Sequence, residues 1–180
     1  MKVMGISGMP GSGKSLVSEI AIEKGAKIIS MGDIIREEAR KRNEPTKVTA
    51  RKLRQEHGDY IVAELTVAKV KKLLKDDLIP LIIIEGIRSP YEVNLFKNNF
   101  DDFIILSIFA NPNLRFERLK ERKRADDSSD YNEFVKRDEM ELGFGIGSVI
   151  ALSDRIITNE SDLDSYEKKI NKFLSEETCL

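Results

Sequence analysis

The chain has 180 residues, enough for one domain with a substantial core, and its charged residues make up 34% yet nearly cancel to a formal net charge of -1. That balance gives no overall electrostatic reason to expect nucleic acid or an acidic membrane surface as a partner. Apolar runs such as Leu78 to Ile84 are far too short to span a bilayer, and the single cysteine, Cys179, excludes a disulfide within the chain.

No N-terminal signal pattern is read, so a cytoplasmic, reducing setting is expected. The lack of Trp and the abundance of Lys, Arg and Glu fit a heat-adapted source. Val3 to Ile6 reads as a buried strand. Gly8-Met9-Pro10-Gly11-Ser12-Gly13-Lys14-Ser15 follows and fills every fixed position of the phosphate-binding loop, G-x-x-x-x-G-K-S/T. Leu16, Val17, Ile20 and Ala21 then recur at helical spacing, which completes the strand–loop–helix context. The glycines let backbone N–H groups turn inward as an anion nest. The helix start adds its unpaired amides and positive dipole end. Lys14 is placed for the β- and γ-phosphates of ATP, and the Ser15 hydroxyl for Mg²⁺.

Further along, Ala26 to Ser30 reads as a second strand and Asp33 to Arg42 as a helix with Asp33 as its N-cap. Pro45 breaks the chain. Val48 to His57 reads as a charged helical stretch, and Gly58 separates it from an amphipathic helix, Asp59 to Lys75. Leu81 to Ile84 and Ile104 to Phe109 read as strands buried on both faces. Helices are expected at Asn113 to Lys123 and Tyr131 to Leu142, then a flexible loop around Gly143, Gly145 and Gly147. Arg155 to Thr158 is the last strand, and Asp162 to Leu174 the closing helix. The alternation predicts an α/β fold with a parallel sheet covered on both sides, and ligands at the carboxyl ends of its strands.

Three constellations fall near those ends. In Ser30-Met31-Gly32-Asp33-Ile34-Ile35-Arg36, Gly32 permits close backbone approach and Arg36 lies one turn beyond Asp33; a capped helix with a solvated arginine would look the same. In Ile84-Glu85-Gly86-Ile87-Arg88, a buried strand delivers a carboxylate that could hold a Mg²⁺-bound water, or simply a strand-end salt bridge. Arg115, Arg118 and Arg122 share a helical face, with Arg124, Asp126, Asp127 and Arg137 beyond. A solvated face would account for the arginines, but a transferring phosphoryl group also needs several guanidiniums around its oxygens. His57, the only histidine, is given no catalytic role, and Met31 and the isolated aromatics read as core.

In this order the motifs resemble those of adenylate kinases, over nearly the whole chain, and more closely an archaeal group of adenylate-kinase-related P-loop kinases. The resemblance implies a single P-loop kinase domain over residues 1–180, a three-layer sandwich with a five-stranded parallel sheet of order 2-3-1-4-5. It also implies a monophosphate-binding helical insert over about residues 31–75 and a short lid region over about residues 115–140. Carried over, Ser30, Gly32, Arg36 and Arg88 would hold the acceptor monophosphate, alongside Asp33, Glu85 and Gly86 of the same motifs. Arg118 would stack on the donor base, Arg122, Arg124 and Arg137 would grip phosphates, and the loop holding Asn159 would pass the donor adenine. Three features depart from the family pattern: Glu85 stands where an Asp is usual, the proline before Arg88 is missing, and Glu92 replaces the glutamine that reads the acceptor base. A carboxylate cannot donate to the adenine ring nitrogen and suits guanine's donors better. The lid has no cysteine cluster for zinc.

The expected activity is a Mg²⁺-dependent nucleoside monophosphate kinase moving the γ-phosphoryl of ATP to AMP, by a monomer or small homo-oligomer. Two alternatives stand beside it. A dephospho-coenzyme A kinase-like enzyme would phosphorylate a sugar hydroxyl with Asp33 or Glu85 as base, and a nucleotide switch or ATPase subunit would have no acceptor site.

Overall fold

A computed structural model describes residues 3–76, 78–122 and 129–178. Five strands make one all-parallel sheet: β1 (Val3–Ser7), β2 (Lys27–Ser30), β3 (Ile82–Glu85), β4 (Ile104–Phe109) and β5 (Arg155–Thr158), in the order β2-β3-β1-β4-β5. This is the expected order. β1 lies at the centre, so the loop that leaves it emerges where neighbouring connections run to opposite sides of the sheet, the place where α/β sheets open a ligand crevice.

Alternation along the strands divides the core in two. Val3, Ile82, Ile84 and Ile105 face one way, toward Val62, Ala63, Val67 and Val70 of α4 (Ile61–Leu73) and Phe96 of α5 (Pro90–Asn99). Met4, Ile6, Leu81, Ile83, Leu106 and Ile108 face the other way. There they meet Val17 and Ala21 of α1 (Lys14–Glu23) and Tyr166, Ile170, Phe173 and Leu174 of α9 (Leu163–Glu177). Burial on both faces is why β1, β3 and β4 are largely apolar runs, whereas the edge strands β2 and β5 are partly exposed.

The remaining helices are α2 (Met31–Arg42), α3 (Thr46–His57), α6 (Pro112–Arg122), α7 (Tyr131–Gly143) and α8 (Ile146–Ala151). Several sequence expectations need correction. Helix α2 starts directly at the end of β2, because Met31 and Ile34 are both buried at helical spacing; Ser30 is its N-cap and Asp33 sits inside the first turn. Helix α4 is shorter at both ends than expected. Helix α5 was not expected at all, although its signals are in the sequence: Ser89 and Glu92 form a capping box around Pro90. The glycine-rich stretch expected to be a flexible loop instead starts α8, with Gly145 at φ 98° as N-cap.

Candidate active site

The phosphate loop joins β1 to α1, and its carbonyl oxygens are held from outside. Arg115 Nη1 donates to Pro10 O (3.1 Å), Asn159 Nδ2 to Ser12 O (2.9 Å) and Tyr166 Oη to Gly13 O (3.0 Å). Lys14 Nζ reaches back across the loop to Gly8 O (2.5 Å) and Met9 O (3.0 Å). With the Pro10, Ser12 and Gly13 carbonyls held in this way, the N–H groups of Gly11, Gly13 and Lys14 on the same peptide planes point the opposite way, as an anion nest requires. The first turn of α1 carries no acidic side chain and no side-chain cap, so its dipole end is left to an anion. Gly13 sits at φ 100°, and a Cβ there would strike the Asn159 amide. Ser12 Oγ is fully buried and has no partner among the described residues.

Beside the loop lies a cavity of about 410 Å³. Lys14 and Ser15 line it from α1, Gly86 and Arg88 from the end of β3, and Arg118, Arg122, Arg137 and Glu141 from α6 and α7. Among the described residues, five cations therefore line the cavity with one carboxylate. Burial pushes the Lys14 ammonium down to about 8, while Glu141 and then Glu85 oppose that fall. Arg88 Nε lies 3.2 Å from Glu141 Oε2, and its guanidinium packs over the Phe144 ring at 5.7 Å. Arg118 Nη2 donates to Asn159 O (3.0 Å) and Oδ1 (3.1 Å), while its Nη1 is buried with no partner among the described residues.

Other sequence candidates lie elsewhere or have other work. Arg115 does not join the cationic face of Arg118 and Arg122; it is 3% exposed and turns inward to the carboxylate of Asp138 (2.9 and 2.5 Å), with Phe134 against its guanidinium. Asn159 clasps the loop and Arg118 rather than standing apart as a base contact. Glu85 ends β3 opposite Ser30 of β2 and accepts a hydrogen bond from Ser18 Oγ. Glu92 is not placed to read a base, since its Oε2 accepts from Arg88 N (2.7 Å) and Ser89 N (3.0 Å) in the cap of α5. Asp33 and Arg36 do not line the cavity. They pair with each other, with Arg36 Nε and Nη2 at 2.9 and 2.6 Å from Asp33 Oδ1, on a separate groove of about 650 Å³ bounded by α2 and the turn into α3. Gly32 lies near Gly86 and the Arg36 guanidinium. Arg124, Asp126 and Asp127 lie outside the described residues. His57 is exposed beside Glu56.

Sequence reasoning missed Glu141, Asp138 and Tyr166. Glu141 stands four residues after Arg137, hence on the same face of α7, and that spacing was available as a signal. Nothing local marks Tyr166, which reaches the loop from the far end of the chain.

A family model described as an AAA domain matches residues 7–134. Among curated proteins, a UPF0200 protein of Methanothermobacter thermautotrophicus is 49% identical over 174 residues, covering 97% of this chain and 90% of its own. One of Pyrococcus furiosus is 46% identical over 177 residues, covering 94% of both. Among solved structures, TT1252 from Thermus thermophilus superposes with a TM-score of 0.69 at 16% identity, over 97% of each chain. Shikimate kinase from Acinetobacter baumannii, solved with shikimate, superposes with a TM-score of 0.57 at 14% identity, over 97% of this chain and 94% of its own. Those two likenesses concern the fold, which is that of P-loop kinases. With its phosphate loop, sheet order and archaeal relatives together, the chain belongs to the AAA-domain family and, within it, to the UPF0200 proteins.

Proposed function

We propose that the protein is a phosphotransferase that moves the γ-phosphoryl group of ATP to a nucleoside monophosphate, with AMP the first acceptor to test. One observation carries this reading: Arg88, from the segment after β3, lines the same cavity as Arg118, Arg122 and Arg137 of α6 and α7, with Lys14 beside the phosphate loop. A nucleotide switch needs cations around its own nucleotide, whereas a further arginine supplied by a separate element suits a second phosphate. In the reaction an oxygen of the acceptor phosphate attacks the γ-phosphorus, the bond to the β–γ bridging oxygen breaks, and ADP leaves with that electron pair. An acceptor phosphate is already ionised near neutral pH, so no residue has to remove a proton. Catalysis is then positioning and charge stabilisation by Lys14 and the arginines.

The site fits a Mg²⁺ held mainly by nucleotide phosphates and water. Ser15 offers a hydroxyl at the start of α1, and no group of three or more His, Cys, Asp or Glu among the described residues makes a protein cage. Such an ion would supply charge to offset that of the phosphates; Glu85, bonded to Ser18, would act on it only through water.

A second reading has its own support. Arg36 is paired to Asp33 outside the cavity, which leaves Arg88 as the acceptor-side arginine within it. A sugar-hydroxyl acceptor, as in a dephospho-coenzyme A kinase, needs fewer guanidiniums on that side and a carboxylate base. The experiment that separates the readings is incubation with ATP, Mg²⁺ and, one at a time, AMP, CMP, GMP and dephospho-coenzyme A, with chromatographic separation of the products. Transfer to a monophosphate supports the first reading, and transfer to dephospho-coenzyme A alone the second. Hydrolysis with no transfer to any acceptor contradicts both.

A further inference from the structure

A carboxylate inside a phosphate-binding cavity requires a reason, because it repels the ligand that the other side chains attract. Glu141 is the one carboxylate among the described residues lining this cavity, and at 8% exposure it meets little bulk water. Its Oε2 lies 3.2 Å from Arg88 Nε. A guanidinium edge binds carboxylate and phosphate oxygens in the same way, so the two anions compete for one arginine. Helix α7 presents Glu141 one turn after Arg137, and Phe144 covers the Arg88 guanidinium from the other side.

We propose that Glu141 is a placeholder for the acceptor phosphate: it holds Arg88 while the cavity is empty and must yield it before a phosphoryl group binds there. This rests on the kinase reading only for the identity of the ligand. Glu141 is a specificity-determining residue in this role. It keeps the arginine aimed into the cavity and opposes the fall in proton affinity that burial imposes on Lys14. Its residual charge also sets an upper limit on how tightly a phosphorylated acceptor or product is retained.

The test is calorimetric titration of inorganic phosphate into the protein with its donor site saturated by Mg²⁺ and a non-hydrolysable ATP analogue. The donor phosphates keep Lys14 charged, so the readout does not report a change in its protonation. Glu141→Gln is isosteric and should bind phosphate roughly tenfold tighter or more, since a full charge a few ångströms from the ligand is removed. A gain of affinity is not what structural damage produces. In Arg88→Ala the further change Glu141→Gln should give a distinctly smaller gain, the part owed to charge repulsion alone. Phosphate affinity in Glu141→Gln equal to or weaker than wild type overturns the proposal, as does a gain of undiminished size after loss of Arg88. Should Glu141→Gln not fold, the wild-type protein still decides. The Arg88 Nε–H resonance, assigned with Arg88→Lys, should shift when phosphate is added, and phosphate binding without that shift refutes the exchange. Tighter phosphate binding without transfer to any monophosphate would leave this inference standing while the proposed function fails. Transfer to AMP with unaltered phosphate binding in Glu141→Gln would do the reverse.

Discussion

Arg115 ties the stability of the fold to the shape of the phosphate loop, and its removal should affect the two differently. Its guanidinium holds both oxygens of Asp138, donates to Pro10 O and, through Nε, to Ala110 O at 3.2 Å. Arg115→Met would leave the Asp138 side chain, only 15% exposed, without its cation and two backbone carbonyls without a donor. Breaking one partner of a buried ion pair costs about 3–5 kcal/mol. In a chain of this size that corresponds to a fall of roughly 10 °C in Tm. Urea denaturation measures the loss. The double variant Arg115→Met/Asp138→Leu removes both charges and should recover most of the stability, because a buried pair replaced by apolar side chains is often neutral. ATP affinity should not recover with it, because Pro10 O stays unanchored in both variants. A loss below about 1 kcal/mol in the single variant, as for a surface pair, would refute the burial argument. Wild-type ATP affinity in the double variant would refute the role in shaping the loop.

Lys14→Ala should abolish transfer at a cost of about 2.7–4 kcal/mol in barrier, by analogy with loss of one preorganised donor, while circular dichroism stays unchanged. ATP affinity should be flat below pH 8 and fall above it: burial holds the Lys14 ammonium at about 8 in the empty site, and bound phosphates raise it, so binding takes up a proton at higher pH. Calorimetry in buffers of different ionisation enthalpy at pH 9 should detect that uptake, and none would be seen if Lys14 were charged throughout. Arg88→Lys should raise the acceptor KM about tenfold or more and barely change ATP affinity, since an ammonium lacks the bidentate fork; equal effects on both substrates would place Arg88 on the donor side. Glu92→Ala should cost roughly 0.5–2 kcal/mol in urea through loss of the α5 cap and leave the AMP-to-GMP ratio of kcat/KM unchanged. A changed ratio would return Glu92 to the pocket.

How much of this was legible in the sequence depends on how local each cause is. The phosphate loop and the five strands could be read because their signals are contiguous: a fixed glycine spacing, and short apolar runs, which β1, β3 and β4 bury on both faces. Helix α5 was missed although Ser89, Pro90 and Glu92 spell its start, and the same oversight cast Glu92 as a base reader when its carboxylate was already used in the cap. Arg115 carried a correct helical spacing to a wrong conclusion. Periodicity fixes which residues share a face, but whether that face meets solvent, a cavity or another helix depends on α7, which arrives later in the chain. Tyr166 and Asn159 lie 153 and 147 residues from the loop atoms they hold, a separation that no local pattern spans. Asp33 and Arg36 were read as facing the phosphates from their motif, whereas they face each other on a neighbouring groove.

The most direct test of the central claim is transfer of labelled phosphate from [γ-³²P]ATP to AMP in the presence of Mg²⁺, with Lys14→Ala as the control. The account expects labelled ADP from wild type and none above background from the variant. Labelled inorganic phosphate as the sole product, at a rate indifferent to AMP, would contradict it.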